Sequence, residues 1–439
     1  MGKVERRDVL KALGVAALAA SGGMALGRRA EAAAELRYAP EKGAELKVLR
    51  WKRFVQGDED LWTLNSQKFT EQTGVSVRVE SVNTDDILPK AAMAANVGAG
   101  PDIVMGSSDS PQLYPDKCVD LTDLANYLGQ KYGGWYDVCQ RNCMHEGRWI
   151  ALSIAVVSFC VVYRESMVKA VGFSDIPRDM AAFLKLCEAL KAQGMPVGLA
   201  LGNAGGDTAW CSWLLWSHGG SLVDENNRVT INSKETIAAL EYAQALYATF
   251  IPGTLSWGDL NNNKAFLSGA ISLTQNAISI YYAAKTSGDS ALQAMALDIQ
   301  HAHLPIGPVG RPTELNPVLT GWVFKHSKYP NAAREYLRFM FEREQYEAWQ
   351  QASLGFMCQP LRAYESNPIW TSDPKITPFR DGGRVSLYNG YRGKVGHGSA
   401  ACTADFVIPN MVAEAASGQS TPKDAAARAE QRARRFYKT

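Results

Sequence analysis

The stretch GRWIALSIAVVSFCVVYRESMVKAVG, residues 147–172, is the part of the chain that decides the fold. From Trp149 to Val162 it is apolar and rich in β-branched residues without strict alternation, which is typical of strands buried on both faces of a parallel α/β sheet. It closes with a short helical signal that ends at Gly172. We expect this stretch, about a third of the way along the chain, to lead from a first lobe to a second. A central strand pair in one large α/β domain is the alternative.

Strand and helix patterns alternate before this stretch. The predicted strands cover residues 46–51, 75–79 and 102–105, and the predicted helices cover residues 58–73 and 87–96. Asp58 is a suitable N-cap for the first helix, and Gly74 ends it. Strands that alternate with helices of this length indicate a parallel sheet, whose ligand crevice lies beyond the carboxyl ends of its strands. That rule places residues 51–53 and 107–109 at the rim of the crevice.

The second half of the chain repeats the alternation. The predicted helices cover residues 183–191, 207–216 and 331–351, with one more after an N-cap at Ser233, and the predicted strands cover residues 196–201 and 318–324, with one more after Gly269. The last helix begins with Thr421 as N-cap and Pro422 at the first helical position. At 439 residues the chain is long enough for two cores, because single cores stop growing near about 250–300 residues.

The first 34 residues have the composition of an export signal. A basic start with Arg6 and Arg7 precedes an apolar run over residues 12–26 and then small residues suited to cleavage. The run is too short to span a bilayer. The paired arginines resemble the twin-arginine signal, which exports folded proteins across the bacterial inner membrane, and a general secretory signal is the alternative. The first cysteine is Cys118, so we expect a soluble periplasmic protein without a lipid anchor.

Composition excludes several classes of partner and site. Residues 1–34 carry six basic and three acidic side chains, so their removal takes the formal charge from +2 to −1 and leaves no electrostatic footprint for nucleic acid. Among the eight cysteines, Cys139 and Cys143 are close enough in sequence to form a disulfide in a loop. The cysteines at 160, 187 and 211 lie in apolar contexts and predict buried thiols. No cysteine or histidine spacing indicates a metal site, and no cofactor is expected.

Five phrases spread over the chain resemble those of family-1 extracellular solute-binding proteins, the maltodextrin-binding-like receptors of ABC importers. They are KFTEQTGVSV at residues 68–77, GPDIV at 100–104, EGRWIAL at 146–152, FLSGAI at 266–271 and AASGQ at 415–419. Trp149 replaces a tyrosine of the family pattern, and Ser153 stands where proline is usual. The five phrases occur in the order that the family has.

The resemblance implies an α/β fold with two lobes, each a mostly parallel sheet flanked by helices, joined by a hinge that the chain crosses three times. Lobe one would hold residues 45–153 and 305–359, and lobe two residues 154–304 and 360–439. Such proteins close over a small solute and deliver it to a membrane permease, because the solute binds the closed state more tightly. The resemblance therefore implies a monomeric periplasmic receptor for a sugar, oligosaccharide or polyol, and not an enzyme.

The resemblance and the side-chain chemistry together suggest a ligand site. Sugars stack on aromatic rings and take hydrogen bonds from carboxylates and amides. The candidate ligand-binding residues are Trp51, Arg53, Asp109, Asp207, Thr208, Trp210, Trp257, Asp259, Asn276, Trp322 and Asp405. Gly106 and Val157 stand where maltodextrin receptors have a tryptophan and a glutamate, so maltodextrin itself is not expected.

Other functions are compatible with the same residues. The aspartates and tryptophans suit a cationic amine or betaine as well as a sugar, through cation–π contacts. Arg53 beside Trp51 favours a neutral or anionic ligand, and a sugar phosphate stays open. A secreted carbohydrate hydrolase needs two carboxylates facing each other across a cleft. No G-x-S-x-G, H-E-x-x-H, P-loop or dinucleotide-binding motif is present, so no catalytic residue is predicted.

Overall fold

The computed structural model describes residues 35–438, and the predicted export signal, residues 1–34, lies outside them. Among the described residues the strands are β1 Glu45–Trp51, β2 Ser76–Val82, β3 Ile103–Ser107, β4 Met144–His145, β5 Arg148–Trp149, β6 Leu152–Val156, β7 Cys160–Arg164, β8 Leu273–Asn276, β9 Ile299–Ala302 and β10 Val318–Val323. The α-helices are α1 Gln56–Thr73, α2 Thr84–Val97, α3 Thr122–Lys131, α4 Asp137–Cys143, α5 Glu165–Ala170, α6 Met180–Ala192, α7 Ala209–Ser217, α8 Lys234–Tyr247, α9 Asn261–Leu267, α10 Ser279–Thr286, α11 Ser290–Asp298, α12 Pro330–Met340, α13 Arg343–Ala352, α14 Ile369–Ser372, α15 Gly382–Val385, α16 His397–Ala404, α17 Val407–Ala416 and α18 Pro422–Ala433.

A five-stranded sheet in the order β2-β1-β3-β10-β6 forms the centre of what we name lobe one. Strand β1 runs parallel to β2 and β3, whereas β10 runs antiparallel to β3 and β6. Helices α1 and α13 pack against each other beside this sheet. Aromatic rings fill two interfaces of α1: Trp62 lies 5.1 Å from Trp349 of α13, and Phe69 lies 5.2 Å from Tyr336 of α12.

A three-stranded sheet in the order β8-β7-β9 forms the centre of lobe two. Both ladders are antiparallel, so the strand directions differ from the mostly parallel sheets expected for each lobe. The predicted strand at residues 196–201 does not form, and this segment has only one isolated parallel bridge, between Val197 and Phe250. Pro196 has no amide hydrogen to donate to a ladder, and a Cβ on Gly198 would lie 2.8 Å from the ring of Trp257.

The chain passes between the two sheets from β6 to β7 and again from β9 to β10, and Asn316 lies in the second of these crossings. The first crossing, residues 157–159, joins β6 to β7, as the apolar stretch predicted. Asn316 accepts a hydrogen bond from the amide of Phe159 at 2.7 Å and donates one to the carbonyl of Gly382 at 3.2 Å. Because Asn316 is 1 % exposed, these bonds are shielded from water and hold the crossings together.

Two contacts lie beyond the expected limits of lobe one at residues 153 and 359. Strand β6 pairs with β10 as far as Val156, and the hydroxyl of Tyr364 donates to the carbonyl of Phe341, which follows α12. Val156 and Tyr364 therefore both lie on the lobe-one side.

Several helix ends follow the sequence and others do not. Ser233 and Thr421 cap α8 and α18 through their side chains, and Gly74 ends α1 in the left-handed conformation. Asp58 is not the cap of α1, since Val55 precedes the helix and Asp58 lies inside it, buried beside Arg50. The long helix predicted for residues 331–351 is interrupted between α12 and α13.

All eight cysteines are unpaired and buried. The disulfide considered for Cys139 and Cys143 does not form, because both lie on α4 and not in a loop. The thiol of Cys143 instead lies 3.5 Å from the hydroxyl of Ser153. The buried thiols predicted at Cys160 and its two companions are confirmed.

Candidate functional site

A cavity of about 600 Å³ lies between the two lobes, and we name it the interlobe cavity. Trp51 at the end of β1 and residues 105–108 at the end of β3 line it from lobe one. Residues 203–209 ahead of α7 line it from lobe two, and Val157 and Phe159 of the first crossing lie between. The cavity therefore occupies the position predicted from the carboxyl ends of the parallel strands.

Five of the predicted ligand-binding residues line the interlobe cavity: Trp51, Asp207, Thr208, Asp259 and Asn276. The indole nitrogen of Trp51 donates to Asp58 at 3.1 Å, which fixes the orientation of the ring. The side chain of Asn276 accepts from Ser279 at 3.1 Å and donates to Asn263. Four of the five come from lobe two, so Trp51 is the predicted residue that lobe one contributes.

The turn before α7 positions two carboxylates of lobe two. Asp259 accepts hydrogen bonds from the amides of Gly206 at 3.1 Å and Asp207 at 3.2 Å. The hydroxyl of Thr208 donates to the carbonyl of Ala204 at 2.6 Å and closes the turn. Asp207 does not cap α7, whose first residue follows Thr208 without a side-chain cap.

Asp207 is 5 % exposed, and its Oδ2 atom has no hydrogen-bond partner among the described residues. Burial raises the pKa of Asp207 well above its usual range, and the negative charge of Asp259 raises it further. A buried polar atom without a partner is costly, since its hydration is lost without replacement. The carboxyl of Asp207 is thus suited to accept or share a hydrogen with a ligand.

Lobe one places a third carboxylate, Asp85 in the first turn of α2, at the same cavity. Burial raises the pKa of Asp85, and the negative charges of Asp259 and Asp86 raise it further. The charge of Asp259 therefore acts across the cavity on the opposite lobe. Among the described residues that line the cavity there is no lysine, arginine or histidine.

Three predicted residues lie apart from the cavity because they are held by charge pairs or other contacts. Arg53 is exposed and pairs with Glu59 at 2.6 Å. Asp405 pairs with Arg432 at 2.9 Å. Trp257 is half-buried with its ring over Gly198.

Three more predicted residues are buried behind the cavity wall. Trp210 is 0 % exposed and donates its indole hydrogen to the carbonyl of Ala200 at 2.8 Å, within the lobe-two core. Trp322 is also 0 % exposed, and a Cβ on Gly106 would lie 2.8 Å from its ring. Asp109 is 1 % exposed and accepts from Asn389 at 2.9 Å. None of these six residues lines this cavity, although Asn389, the partner of Asp109, does. Their ligand contacts stay predictions.

Sequence reasoning missed several cavity residues. Phe54, Asp85 and Phe159 line the cavity, as does Tyr391, whose ring contacts that of Trp216 at 5.6 Å. Asp85 carried a usable signal, because it begins the helix after β2 and so lies near the carboxyl edge of the sheet. Tyr391 carried none, since it follows a long irregular segment.

The described residues contain neither a metal site nor a membrane-spanning helix. No group of three or more histidine, cysteine, aspartate or glutamate side chains within residues 35–438 is placed to hold a metal ion. No helix in the same part of the chain is long and apolar enough to cross a membrane.

Solved structures with bound sugars have the same fold. The GacH receptor of Streptomyces glaucescens, solved unliganded and with acarbose, is 17% identical with a TM-score of 0.75 over 91% of this chain and 99% of that one. MalE3 of T. maritima, solved with maltose, is 18% identical with a TM-score of 0.76 over 89% and 99%. A sugar transporter of Arthrobacter chlorophenolicus with laminaribiose is 15% identical with a TM-score of 0.77 over 90% and 100%. These similarities show the two-lobed α/β fold.

Sequence comparison identifies the family. A probable ABC transporter-binding protein of Deinococcus radiodurans is 26% identical over 206 residues, 44% of this chain and 47% of the relative, so the match spans about half the length of the curated relative. The family model for bacterial extracellular solute-binding proteins matches residues 66–378, which is more than half of the chain. The resemblance seen in the five sequence phrases is thereby confirmed, and the chain belongs to the bacterial extracellular solute-binding proteins.

Proposed function

We propose that this protein captures a small carbohydrate, either a sugar, an oligosaccharide or a polyol, between its two lobes and delivers it to the permease of an ABC importer. The observation that carries the proposal is the interlobe cavity, which both lobes line and which holds an unpartnered buried carboxyl. Related folds bound to maltose and laminaribiose support the ligand class.

The proposed binding mode uses the residues that line the cavity. The ring of Trp51 offers a flat apolar surface to the C–H face of a sugar. Asp207, Asp259 and Asn276 accept hydrogen bonds from its hydroxyl groups. A ligand that contacts Trp51 on lobe one and Asp207 on lobe two binds the closed state more tightly than the open one, and this difference drives closure.

The wider biological role belongs to the same proposal. The protein acts in the periplasm as a soluble monomer without a lipid anchor, exported by a twin-arginine signal, and it has no catalytic turnover. Replacement of Arg6 and Arg7 by lysine tests the export route, with accumulation of the precursor in the cytoplasm as the expected result. Unchanged export would assign the chain to the general secretory route. The division into two lobes near the expected limits is also part of the proposal.

A ligand screen tests the function directly. Thermal-shift measurements with maltose, laminaribiose, ribitol and further sugars should show stabilisation by at least one of them, by about 2.7 kcal/mol at 100 times Kd. Asp207→Asn should weaken the binding of that ligand, whereas Asp116→Asn, at an exposed position, is a control that should keep full affinity. Equal affinity of the unmodified protein and both variants would show that Asp207 does not contact the ligand.

Two alternatives are tested alongside. A sugar phosphate needs cationic partners, and no described residue lining the cavity is basic, which disfavours this alternative. A hydrolase would release chromophore from nitrophenyl glycosides, and turnover above background would overturn the receptor proposal. An amine ligand is favoured by the three aspartates that line the cavity, Asp85, Asp207 and Asp259.

A further inference from the structure

Three carboxylates approach the interlobe cavity from opposite lobes, and we name them the acidic cluster. Asp85 lies on α2 of lobe one, while Asp207 and Asp259 lie on lobe two. The negative charge of Asp259 acts on both of the others. Within residues 35–438 no lysine, arginine or histidine forms an ion pair with any of the three, and none counts among the charges that shift Asp85 or Asp207.

Uncompensated like charges that face each other across a cleft oppose closure. Like charges at short range repel, and the repulsion grows as water leaves the space between them. The other carboxylates of the chain that are as buried as Asp207 include Asp58, which is bonded to Arg50, and Glu335, which is bonded to Arg338. Asp109 is 1 % exposed and is bonded to Asn389 instead of a cation, so burial alone does not require an ion pair. The acidic cluster also lacks a cationic partner among the described residues, and a cation that enters the cavity would favour the charged form of its carboxyls.

An independent observation indicates that a ligand supplies it. The Oδ2 atom of Asp207 has no hydrogen-bond partner although the residue is 5 % exposed. The side chain of Asn262 is hydrogen-bonded to this carboxyl, whereas Asp259 accepts from the backbone amide of Asp207. Asp207 lines the cavity, so a donor bound there lies beside this carboxyl and can supply the partner.

The surroundings of the cluster suit an organic cation. A Cβ on Gly206 would lie 3.2 Å from the ring of Phe159 and 3.9 Å from Oδ1 of Asp259, so an aromatic edge and a carboxylate meet at this turn. No described group of three acidic side chains is close enough together to hold a metal ion. An ammonium group with several hydrogens can instead contact separate carboxylates and an aromatic ring at once.

We propose that the solute carries a protonated amine, as in an amino sugar or an aminocyclitol, and that this amine binds the Asp207–Asp259 pair while Asp85 approaches it from the opposite lobe. The inference rests on the proposed function, because it assigns the chemistry of the same ligand. Binding of the cation removes the repulsion across the cleft and so favours closure. The amine thus determines which solutes the protein binds, and its charge also promotes closure of the lobes.

Three disaccharides with one backbone test the charge requirement. The β-1,4-linked glucosamine disaccharide carries ammonium groups, N,N′-diacetylchitobiose carries neutral amides at the same positions, and cellobiose carries hydroxyls. Isothermal titration at pH 6.5 should give a Kd at least tenfold lower for the glucosamine disaccharide than for either neutral sugar, and added NaCl should raise it. Equal or tighter binding of cellobiose or N,N′-diacetylchitobiose overturns the inference and leaves the carbohydrate receptor intact.

A matched pair of variants decides the matter even if none of the three sugars binds. Asp85 and Asp86 are both exposed in the first turn of α2, but only Asp85 lines the cavity. In the ligand-free protein at pH 7.5, Asp85→Asn should raise Tm relative to Asp86→Asn, because it removes repulsion across the cleft while both lose the same interaction with the helix dipole. An equal or lower Tm for Asp85→Asn means that the cluster is not strained by its charges, and the inference is wrong.

Discussion

Replacement of Asp58 by alanine should unfold lobe one at a much lower denaturant concentration. The carboxylate of Asp58 is 0 % exposed and accepts two hydrogen bonds from Arg50, at 2.6 and 2.8 Å. It also accepts from the indole nitrogens of Trp51 at 3.1 Å and Trp349 at 2.9 Å. Alanine leaves the buried guanidinium without a counter-charge and two buried indole groups without an acceptor.

The magnitude follows from these contacts. Removal of one partner of a buried ion pair costs about 3–5 kcal/mol, because the remaining charge stays out of water. Asp60 on the same helix accepts only from Gln56, at the surface, so Asp60→Ala should change stability by no more than about 0.5 kcal/mol. Urea denaturation followed by tryptophan fluorescence measures both variants. A loss below about 1 kcal/mol for Asp58→Ala, or equal losses for the two, would refute the reasoning.

Three further predictions concern single sites. Trp210→Ala should lower the free energy of unfolding by about 3–5 kcal/mol and leave the Kd for the ligand unchanged in the protein that stays folded. A titration that shows weaker binding together with an unchanged Tm would instead place Trp210 in the ligand site. Gly106→Ala should cost about 1–3 kcal/mol, since its Cβ would lie 2.8 Å from the buried ring of Trp322, and calorimetry showing no loss of Tm would contradict this. Burial lowers the pKa of His301 from 6.5 to about 3 despite its bond to the carbonyl of Lys375. As the pH drops from 6.5 towards 3, the unfolded chain binds a proton at His301 before the folded chain does, so the free energy of unfolding should fall. The His301→Gln variant should show a shallower fall over the same range, measured by denaturation at a series of pH values.

Local patterns were sufficient to predict much of the architecture. The apolar stretch at residues 147–172 contains β6, the first crossing and β7, since a run of β-branched residues without alternation has few other solutions. Gly74 and Thr421 marked helix ends correctly, because the conformation or side chain that each end needs depends on that residue alone.

Long-range packing set the limit of prediction. Trp210 and Trp51 are both tryptophans at element ends, yet one is enclosed by the lobe-two core and the other lines the cavity. Asp58 has the sequence context of a helix cap, but Arg50, eight residues earlier on the adjacent strand, draws it inward. The spacing of residues along an element does not say which distant side chain fills the space beside it, so the residues that line the cavity were predicted less well than helices and strands.

The eight unpaired cysteines have a consequence for redox chemistry. Burial raises the pKa of Cys143 and of Cys358 to about 12 each, so neither forms a reactive thiolate at neutral pH in the native protein. The native fold needs no oxidant and should be indifferent to dithiothreitol, which makes it equally attainable in a reducing and in an oxidising compartment. Alkylating reagents can reach these sulfurs only when the chain opens. Their rate of modification is therefore a built-in measure of unfolding, with no added label.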